Sequence, residues 1–362
     1  MVQHLRHSHR FRTITGTSGA LLGLLALSAC SGDGGSSDSD ETLVLSTFPF
    51  GVEEFQEAVT DPFTEETGIE VEIDTGSNSD RLSQLQLAEG EDPGVDVMLI
   101  SDYYAALGQQ DDLFQEVSAE NVPTIDEIAD FAVEDAYEGP AYSYQLYGTI
   151  YNTDEVDEDE AASWELWQDD EYSGRLALPD ISVTAGQLMI SGVGEAYGDG
   201  PYDVDTAFSE LSDWSPDILQ FYTASTEVTN LLTQSEIVAA GSLNGFATDL
   251  ISSGEPIAWT APEEGRYMAT NRAMIPAGAE NVEAAEQFID YLLQVDAQSQ
   301  SADLVGDLPV NLDAEVPQEL TDVVGDIAED PVEAQYETLD PTELVDTRGE
   351  WVDRFAREVS GQ

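Results

Sequence analysis

The sequence predicts an α/β fold with two α/β lobes that face each other across a cleft. Strand-like and helix-like segments alternate from residue 42 to residue 100, and the same alternation returns after residue 175. Strands separated by helices form βαβ units with parallel strands. The roughly 320 residues after the N-terminal tract are enough for two domains.

Apolar and β-branched runs define the strands of the first half. The predicted strands are 42–48, 69–73 and 95–100. A helical stretch that ends at Gly68 separates the first two strands, and a helix at 81–88 separates the second and third. This order predicts a parallel sheet.

The first helical stretch contains an internal proline. Phe55, Val59 and Phe63 recur at four-residue spacing, so they share one face of a helix. Asp61 and Pro62 resemble an N-cap followed by proline at the first helical position. The stretch is therefore predicted to be two consecutive helices, with Asp61 as the cap of the second.

The second half repeats the alternation. Its predicted strands are 175–179, 236–243 and 256–261, and its predicted helices are 185–197, a helix that begins near 281 and a last helix near 350–358. The apolar face of the helix near 281 consists of Ala285, Phe288, Ile289 and Leu292. Asn281 is its expected N-cap, and Trp351 and Phe355 share one face of the last helix.

The first 29 residues have the features of a secretory signal. They contain none of the 75 acidic residues, they carry Arg6, Arg10 and Arg12, and an uncharged run (GALLGLLALSA) occupies 19–29. A basic start, a short apolar run and small residues before a cleavage point are typical of such signals. The run is too short for a membrane span, which needs about 20 apolar residues. Residues 1–29 are therefore predicted to be a signal peptide.

The only cysteine, Cys30, follows this signal directly. Residues 27–30 (LSAC) resemble the lipobox of prokaryotic lipoproteins, in which the cysteine receives a lipid and becomes the first residue. An ordinary cleaved signal with an incidental cysteine is the alternative. Residues 30–41 are rich in Gly, Ser and Asp and are predicted to be a flexible tether. We therefore expect a protein held at the outer face of the cytoplasmic membrane by a lipid on Cys30.

Composition excludes several kinds of chemistry. His4, His7 and His9 all lie in the signal, the chain has no lysine, and its one cysteine is assigned to the anchor. Ser-His, Cys-His and Schiff-base catalysis therefore lack their residues, and the commonest metal ligands are missing. We expect neither a cofactor nor a metal.

The charge is strongly negative. The formal net charge is −65, and without the signal seven arginines face 75 acidic residues, which leaves −68. Such a surface repels nucleic acids and anionic lipids, so no nucleic-acid partner is expected. The acids are spread along the whole chain, which favours a solvated surface adapted to high salt over a site for cations. Acidity without lysine indicates a halophilic source.

Motifs of one family occur in order along nearly the whole mature chain. They are 63–71 (FTEETGIEV), 95–104 (VDVMLISDYY), 163–175 (SWELWQDDEYSGR), 264–265 (EG), 275–289 (IPAGAENVEAAEQFI) and 308–311 (LPVN). In these segments the chain resembles the extracellular solute-binding proteins of ABC importers, of the spermidine/putrescine-binding type. The resemblance implies a periplasmic-binding-protein-like fold of two α/β lobes with a ligand cleft between them, joined by hinge strands.

The resemblance also implies a domain division and partners. Hinge crossings near Tyr147 and Ala269 divide the chain into lobe 1, residues 42–146 plus 269–315, and lobe 2, residues 147–268 plus 316–360. The expected protein is a monomer that binds a small-molecule solute and delivers it to the membrane subunits of an ABC importer.

Candidate ligand contacts follow from the same resemblance. Ser101 and Tyr103 stand just after a buried strand, where ligands bind in open α/β sheets, and the family uses a serine and a tyrosine at these positions. The expected contacts are Phe48, Ser101, Tyr103, Tyr147, Asp180, Asn244, Tyr267 and Asn271.

The specificity positions depart from the polyamine pattern. A diamine needs carboxylates for its ammonium groups and aromatic faces for its methylenes. Where the family has acids after a second-lobe strand, residues 180–184 (DISVT) supply only Asp180. Leu243 and Ala269 stand where the family has tryptophans, and Asn271 stands where it has an aspartate. A solute other than a polyamine is expected.

Other solutes and one other class of protein remain open. The solutes are thiamine, an aminophosphonate, a sugar and ferric iron. Iron would need paired tyrosines, and Tyr103 and Tyr104 are consecutive, so they do not readily face one site. Arg266 and Arg272 could hold an anionic group or pair with surface acids. An extracellular hydrolase acting through two carboxylates is the other class, although carboxylate pairs are uninformative in so acidic a chain.

Overall fold

The protein was analysed as a computed structural model that describes residues 42–88, 90–328 and 330–361, without the side chain of Asp249. The predicted signal peptide and tether, with the proposed lipidation site Cys30, lie outside the described residues. Within the described ranges, the helices all fall short of the length and apolarity that a membrane crossing requires.

Strands and helices alternate through most of the chain. The strands are β1 (Thr42–Thr47), β2 (Glu70–Thr75), β3 (Val97–Ser101), β4 (Phe114–Gln115), β5 (Ala141–Asn152), β6 (Leu176–Pro179), β7 (Ile218–Tyr222), β8 (Ala239–Leu243), β9 (Ile257–Thr260), β10 (Met268–Pro276) and β11 (Leu308–Pro309). The α-helices are α1 (Val52–Phe55), α2 (Asp61–Thr67), α3 (Asn78–Ala88), α4 (Asp102–Gln110), α5 (Glu158–Ala162), α6 (Thr184–Tyr197), α7 (Val204–Trp214), α8 (Thr226–Thr233), α9 (Gly245–Ser252), α10 (Val282–Leu292), α11 (Val295–Leu304), α12 (Gln318–Val324) and α13 (Pro341–Glu358).

The strands form one continuous sheet with two parallel parts. Its order is β2-β1-β3-β10-β5-β8-β6-β7, with β4 paired to β10, and β9 and β11 paired to β5. Strand β1 is parallel to β2 and β3, and β6 is parallel to β7 and β8. Strands β5 and β10 run antiparallel to their neighbours. The predicted parallel βαβ units are therefore confirmed on both sides of β5 and β10.

Strand β5 joins the two halves of the sheet. Its N-terminal part pairs with β10, where Leu146 lies opposite Met268. The next residue, Tyr147, pairs instead with Leu243 of β8, and the rest of the strand pairs with β8 and β9. Strand β5 thus changes its pairing partner between Leu146 and Tyr147.

Each half of the sheet is covered by aromatic and aliphatic side chains. In the first half, Phe63 of α2 meets Phe288 of α10 edge to face, with 5.2 Å between ring centroids. In the second half, Trp164 stacks between Tyr147 and Trp214, at centroid distances of 6.0 and 6.3 Å. The predicted apolar face of α10 is confirmed, because all four of its residues are buried.

The helical stretch before β2 differs from its prediction. A π-helical turn at Gln56–Thr60 links α1 to α2, and Thr60 already has helical dihedral angles. Asp61 is therefore not an N-cap, and that prediction was wrong. Proline removes a hydrogen bond and crowds the preceding turn of an α-helix, and the wider π turn ahead of Pro62 accommodates both effects.

The last helix begins earlier than predicted. Helix α13 starts at Pro341 rather than near residue 350, and Asp340 caps it by accepting a hydrogen bond from the Glu343 N–H at 2.9 Å. Proline at the first helical position follows the usual preference. The additional turns bring Arg348 onto the helix.

We predict that Phe288→Ala lowers the free energy of unfolding by about 3–5 kcal/mol, because Phe288 is fully buried and its loss leaves a cavity. The matched control is Phe50→Ala, since Phe50 is 61% exposed and its loss is expected to change stability by about 1 kcal/mol or less. Denaturant unfolding in concentrated KCl measures both. Equal effects of the two substitutions would contradict the described core.

Candidate ligand-binding site

The candidate site lies at the carboxyl ends of the parallel strands. Ser101 is the last residue of β3, Phe48 follows β1, Asp180 follows β6 and Asn244 follows β8. In open α/β sheets, ligands bind in the crevice outside these strand ends. The strand ends of the two halves point towards each other along β5, so both halves contribute predicted contacts to the space between them.

A row of small polar side chains crosses the first half of the sheet. Asn271 of β10 lies opposite Ser101 of β3 on one side and opposite Ser143 of β5 on the other. The Asn271 side-chain amide donates to the Ser143 hydroxyl at 3.1 Å, and the Asn78 amide donates to the Ser101 hydroxyl at 3.2 Å. The structure thus brings the predicted contacts Ser101 and Asn271 together. Ser143, which was not predicted, lies beside Asn271.

An arginine that sequence reasoning missed supports Phe48. The guanidinium carbon of Arg81 lies 5.2 Å from the centroid of the Phe48 ring. Arg81 donates to the carbonyl oxygens of Ser46 at 3.2 Å and Leu99 at 2.8 Å, at the ends of β1 and β3. Burial lowers the Arg81 pKa to about 10, so the side chain remains a cation at neutral pH.

Asp102 fixes the start of α4 and was also missed. Its carboxylate accepts hydrogen bonds from the Tyr103 N–H at 2.6 Å and from the Thr270 N–H at 3.0 Å. Burial raises the Asp102 pKa, and the two backbone hydrogen bonds oppose that shift. Because both oxygens bind the backbone, Asp102 acts as a brace that ties α4 to β10 and orients Tyr103.

The two halves of the molecule meet at Tyr103. The guanidinium carbon of Arg348, from α13, lies 4.2 Å from the centroid of the Tyr103 ring. Arg348 also donates to the Ile181 carbonyl oxygen at 2.7 Å, just after β6. The side chain is 8% exposed, and its Nε atom has no hydrogen-bond partner among the described residues. Arg348 was missed because the last helix was predicted to begin after it.

Asn244 binds the crossing strand from the second half. Its side-chain oxygen accepts a hydrogen bond from the Leu146 N–H at 2.8 Å, while its own backbone N–H donates to the Leu146 carbonyl at 3.0 Å. The Asn244 Nδ2 atom is buried and unpaired within the described structure. Asp180 is partly exposed and accepts a hydrogen bond from the Ser182 N–H at 2.8 Å. In the second half of the sheet, the Asn244 amide donor and one Asp180 carboxylate oxygen therefore have no partner among the described residues.

Two predicted contacts pack elsewhere. Tyr147 is 1% exposed, stacks on Trp164, and burial raises the pKa of its phenol. Tyr267 is also buried, and its carbonyl accepts the Tyr147 N–H at 3.1 Å. Both rings belong to the apolar core of the second half. The geometry therefore separates these two tyrosines from the other predicted contacts.

The two arginines that flank the second crossing also bind elsewhere. Arg272 is buried, forms an ion pair with Glu134 at 3.4 Å and lies over the Tyr137 ring. Arg266 donates to the carbonyl oxygens of Pro262 at 2.7 Å and Ala334 at 2.8 Å. These arginines were expected either to hold an anionic group or to pair with acids, and Arg272 pairs with an acid.

Comparisons with known proteins agree on one family. The family model for bacterial extracellular solute-binding proteins matches residues 58–326. The spermidine/putrescine-binding periplasmic protein 1 of Haemophilus influenzae is 24% identical over 293 residues, which cover 78% of this chain and 80% of the relative.

Solved structures show the same fold. An ABC transporter protein from Clostridium perfringens is 26% identical and aligns over 88% of this chain and 99% of its own, with a TM-score of 0.74. The periplasmic binding protein AfuA from Actinobacillus pleuropneumoniae, with exogenous fructose-6-phosphate bound, is 16% identical and aligns over 89% and 99%, with a TM-score of 0.70.

The fold prediction is confirmed, since a solved periplasmic binding protein aligns over 89% of this chain with a TM-score of 0.70. The family model covers well over half of the chain. The chain belongs to the bacterial extracellular solute-binding proteins.

Proposed function

We propose that this protein captures one small solute between its lobes outside the cell and delivers it to the membrane subunits of an ABC importer. The observation that carries the proposal is that polar groups from both halves of the sheet follow strand ends that point towards each other along β5. Buried donors there, Asn244 Nδ2 and Arg348 Nε, lack partners among the described residues. Buried polar groups are normally hydrogen-bonded, so a bound solute would complete the site.

The proposed contacts are a subset of the predicted ones with one addition. They are Phe48, Ser101, Tyr103, Asp180, Asn244, Asn271 and Arg348. Tyr147 and Tyr267 are assigned to the core beside the crossing. The lobes are proposed to divide between 146 and 147 and between 268 and 269.

Closure is the proposed response to the solute. A ligand shifts a conformational equilibrium only by its differential affinity for the two states. A solute that touches Ser101 in one lobe and Asn244 in the other has both contacts only when the cleft is closed. The contact of Tyr103 with Arg348 already joins the lobes on one side of that cleft.

A polyamine is not the solute that this site favours. The Haemophilus influenzae relative is named a spermidine/putrescine-binding protein, and ammonium groups require carboxylate partners. Asp102 is buried and both of its oxygens accept backbone hydrogen bonds. Among the proposed contacts, Asp180 is the only residue with a carboxylate for a cation. This agrees with the absence of the family's other acids from the sequence.

Solute binding is expected to stabilise the protein against heat. At about 100 times its dissociation constant, a solute should add about 2.7 kcal/mol to the free energy of unfolding. The measurement is thermal unfolding of the purified mature protein in about 2–3 M KCl, chosen to screen the surface charge. The solutes are putrescine, spermidine, thiamine, aminoethylphosphonate, simple sugars, phosphorylated sugars, amino acids and Fe(III). Turnover of a glycoside or ester by the protein would contradict a binding role.

Tyr103→Ala is expected to weaken binding of the solute found in that screen by roughly tenfold or more, because a half-buried aromatic contact is lost. Calorimetric titration measures the change. Tyr197→Ala is the control, since Tyr197 is 38% exposed and lies against Trp214, away from the cleft. Unchanged affinity in Tyr103→Ala would remove this residue from the site.

Lipid attachment is proposed for Cys30. Cys30→Ser should move the protein from the membrane fraction to the medium and abolish labelling by a radioactive fatty acid, because the thiol that carries the lipid is gone. Ser31→Ala is the matched control and should leave both unchanged. Retention of the Cys30→Ser protein on membranes would contradict the lipid anchor.

A further inference from the structure

The arginines fall into two groups by their partners. Arg175, Arg272, Arg354 and Arg357 each form an ion pair with a carboxylate. Among the described residues, Arg81, Arg266 and Arg348 have no carboxylate within 4 Å and donate to backbone carbonyls instead. The chain has 75 acidic residues, so the absence of an acid beside a buried arginine is a local property of that site.

Arg348 is a buried arginine that uses little of its hydrogen-bonding capacity and has no carboxylate partner among the described residues. A guanidinium carries five N–H donors. Its recorded partners are the Ile181 carbonyl at 2.7 Å and the face of the Tyr103 ring at 4.2 Å. More than nine-tenths of the side chain is buried, and Nε is buried without a partner. A buried cation with open donors is unfavourable until an acceptor arrives.

The surroundings of Arg348 favour an anion. Tyr103 is the second residue of α4, and Ile181 shortly precedes α6, so Arg348 connects the N-terminal ends of two helices. Helix N-termini carry a partial positive charge and free N–H groups. Arg81 is a second buried cation, bonded to carbonyl oxygens of β1 and β3 in the first half of the sheet.

Two acids adjoin the residues that Arg348 contacts, because Asp102 precedes Tyr103 and Asp180 precedes Ile181. Both oxygens of Asp102 accept backbone hydrogen bonds. Asp180 precedes Ile181 directly, but one of its oxygens accepts the Ser182 N–H and it forms no ion pair with Arg348. Neither acid neutralises the guanidinium.

We propose that the solute carries an oxyanion, a carboxylate, phosphate or phosphonate group, and that Arg348 binds it across the cleft. Guanidinium groups match such oxyanions with paired, charge-assisted hydrogen bonds. The free oxygen of Asp180 is available to an ammonium or hydroxyl group elsewhere on the same solute. This inference rests on the proposed function and names the class of solute.

The test uses pairs of solutes that differ at one group. The pairs are γ-aminobutyrate and putrescine, aminoethylphosphonate and ethanolamine, and fructose 6-phosphate and fructose. Each is added to the mature protein at equal ionic strength in concentrated KCl, and thermal shift and calorimetric titration are recorded. The anionic member of at least one pair is expected to bind, and its partner is expected not to bind.

Arg348→Gln removes the charge and preserves much of the side-chain volume. We expect it to weaken binding of the anionic solute by about thirtyfold or more, the scale of a lost partner in a buried charge pair. Arg348→Lys keeps the charge but not the paired donors. Its affinity for the anionic solute should therefore lie between those of the wild type and of Arg348→Gln. Arg357→Gln is the matched control, because Arg357 lies on the same helix, is 65% exposed and pairs with Glu358.

The ligand-free proteins separate binding from folding. Because Arg348 has an unpaired donor, the unfolding temperature of ligand-free Arg348→Gln should equal or exceed that of the wild type. Preferential binding of putrescine, ethanolamine or fructose would contradict the proposal that the solute carries an oxyanion. It would not contradict the solute-binding role. Anion binding that survives Arg348→Gln would overturn the role of this residue. Absence of binding across all pairs and across the wider solute panel would contradict the proposed function and, with it, this inference.

Discussion

Strand β5 carries the hydrogen bonds on which the cleft depends. Its first half is bonded to β10 and its second half to β8 and β9, so one extended segment belongs to both halves of the sheet. Asn244 reinforces the change of partner by bonding both backbone groups of Leu146. Because β3 runs in the direction of β5 and β8 runs against it, the carboxyl ends of the two sets of parallel strands point towards each other along β5. This one crossing therefore sets the proposed contacts of the two halves opposite each other.

The electrostatics of the surface and of the cleft have opposite character. The chain as a whole carries a formal charge of −65, yet the two buried arginines at the strand ends, Arg81 and Arg348, lack acidic partners among the described residues. At high ionic strength, exposed charges are screened within a few ångströms, whereas buried groups are screened much less. We therefore propose that the local cations, rather than the acidic surface, select the solute.

Local sequence patterns predicted much of the fold, but they did not predict contacts between residues far apart in sequence. The alternating strands and the apolar face of α10 follow from periodicity. Motifs pointed to Ser101 and Asn271, which lie opposite each other on β3 and β10. Arg348 was missed because the Asp340-Pro341 start of α13 was overlooked, and its contact with Tyr103 joins residues far apart in sequence. Tyr147 was singled out by its position along the chain, whereas the packing of its ring on Trp164 depends on contacts that local patterns do not reveal.

Closure of the lobes on a solute is tested most directly by a distance across the cleft. Ser79 and Thr223 are exposed and follow the carboxyl ends of β2 and β7, the outer strands of the two halves. Spin labels on Ser79→Cys and Thr223→Cys, with Cys30→Ser, report their separation by pulsed electron resonance. A bound solute should shorten and narrow the distance distribution, as a closed state is selected. Saturating solute that binds but leaves the distribution unchanged would contradict a cleft that works by closing.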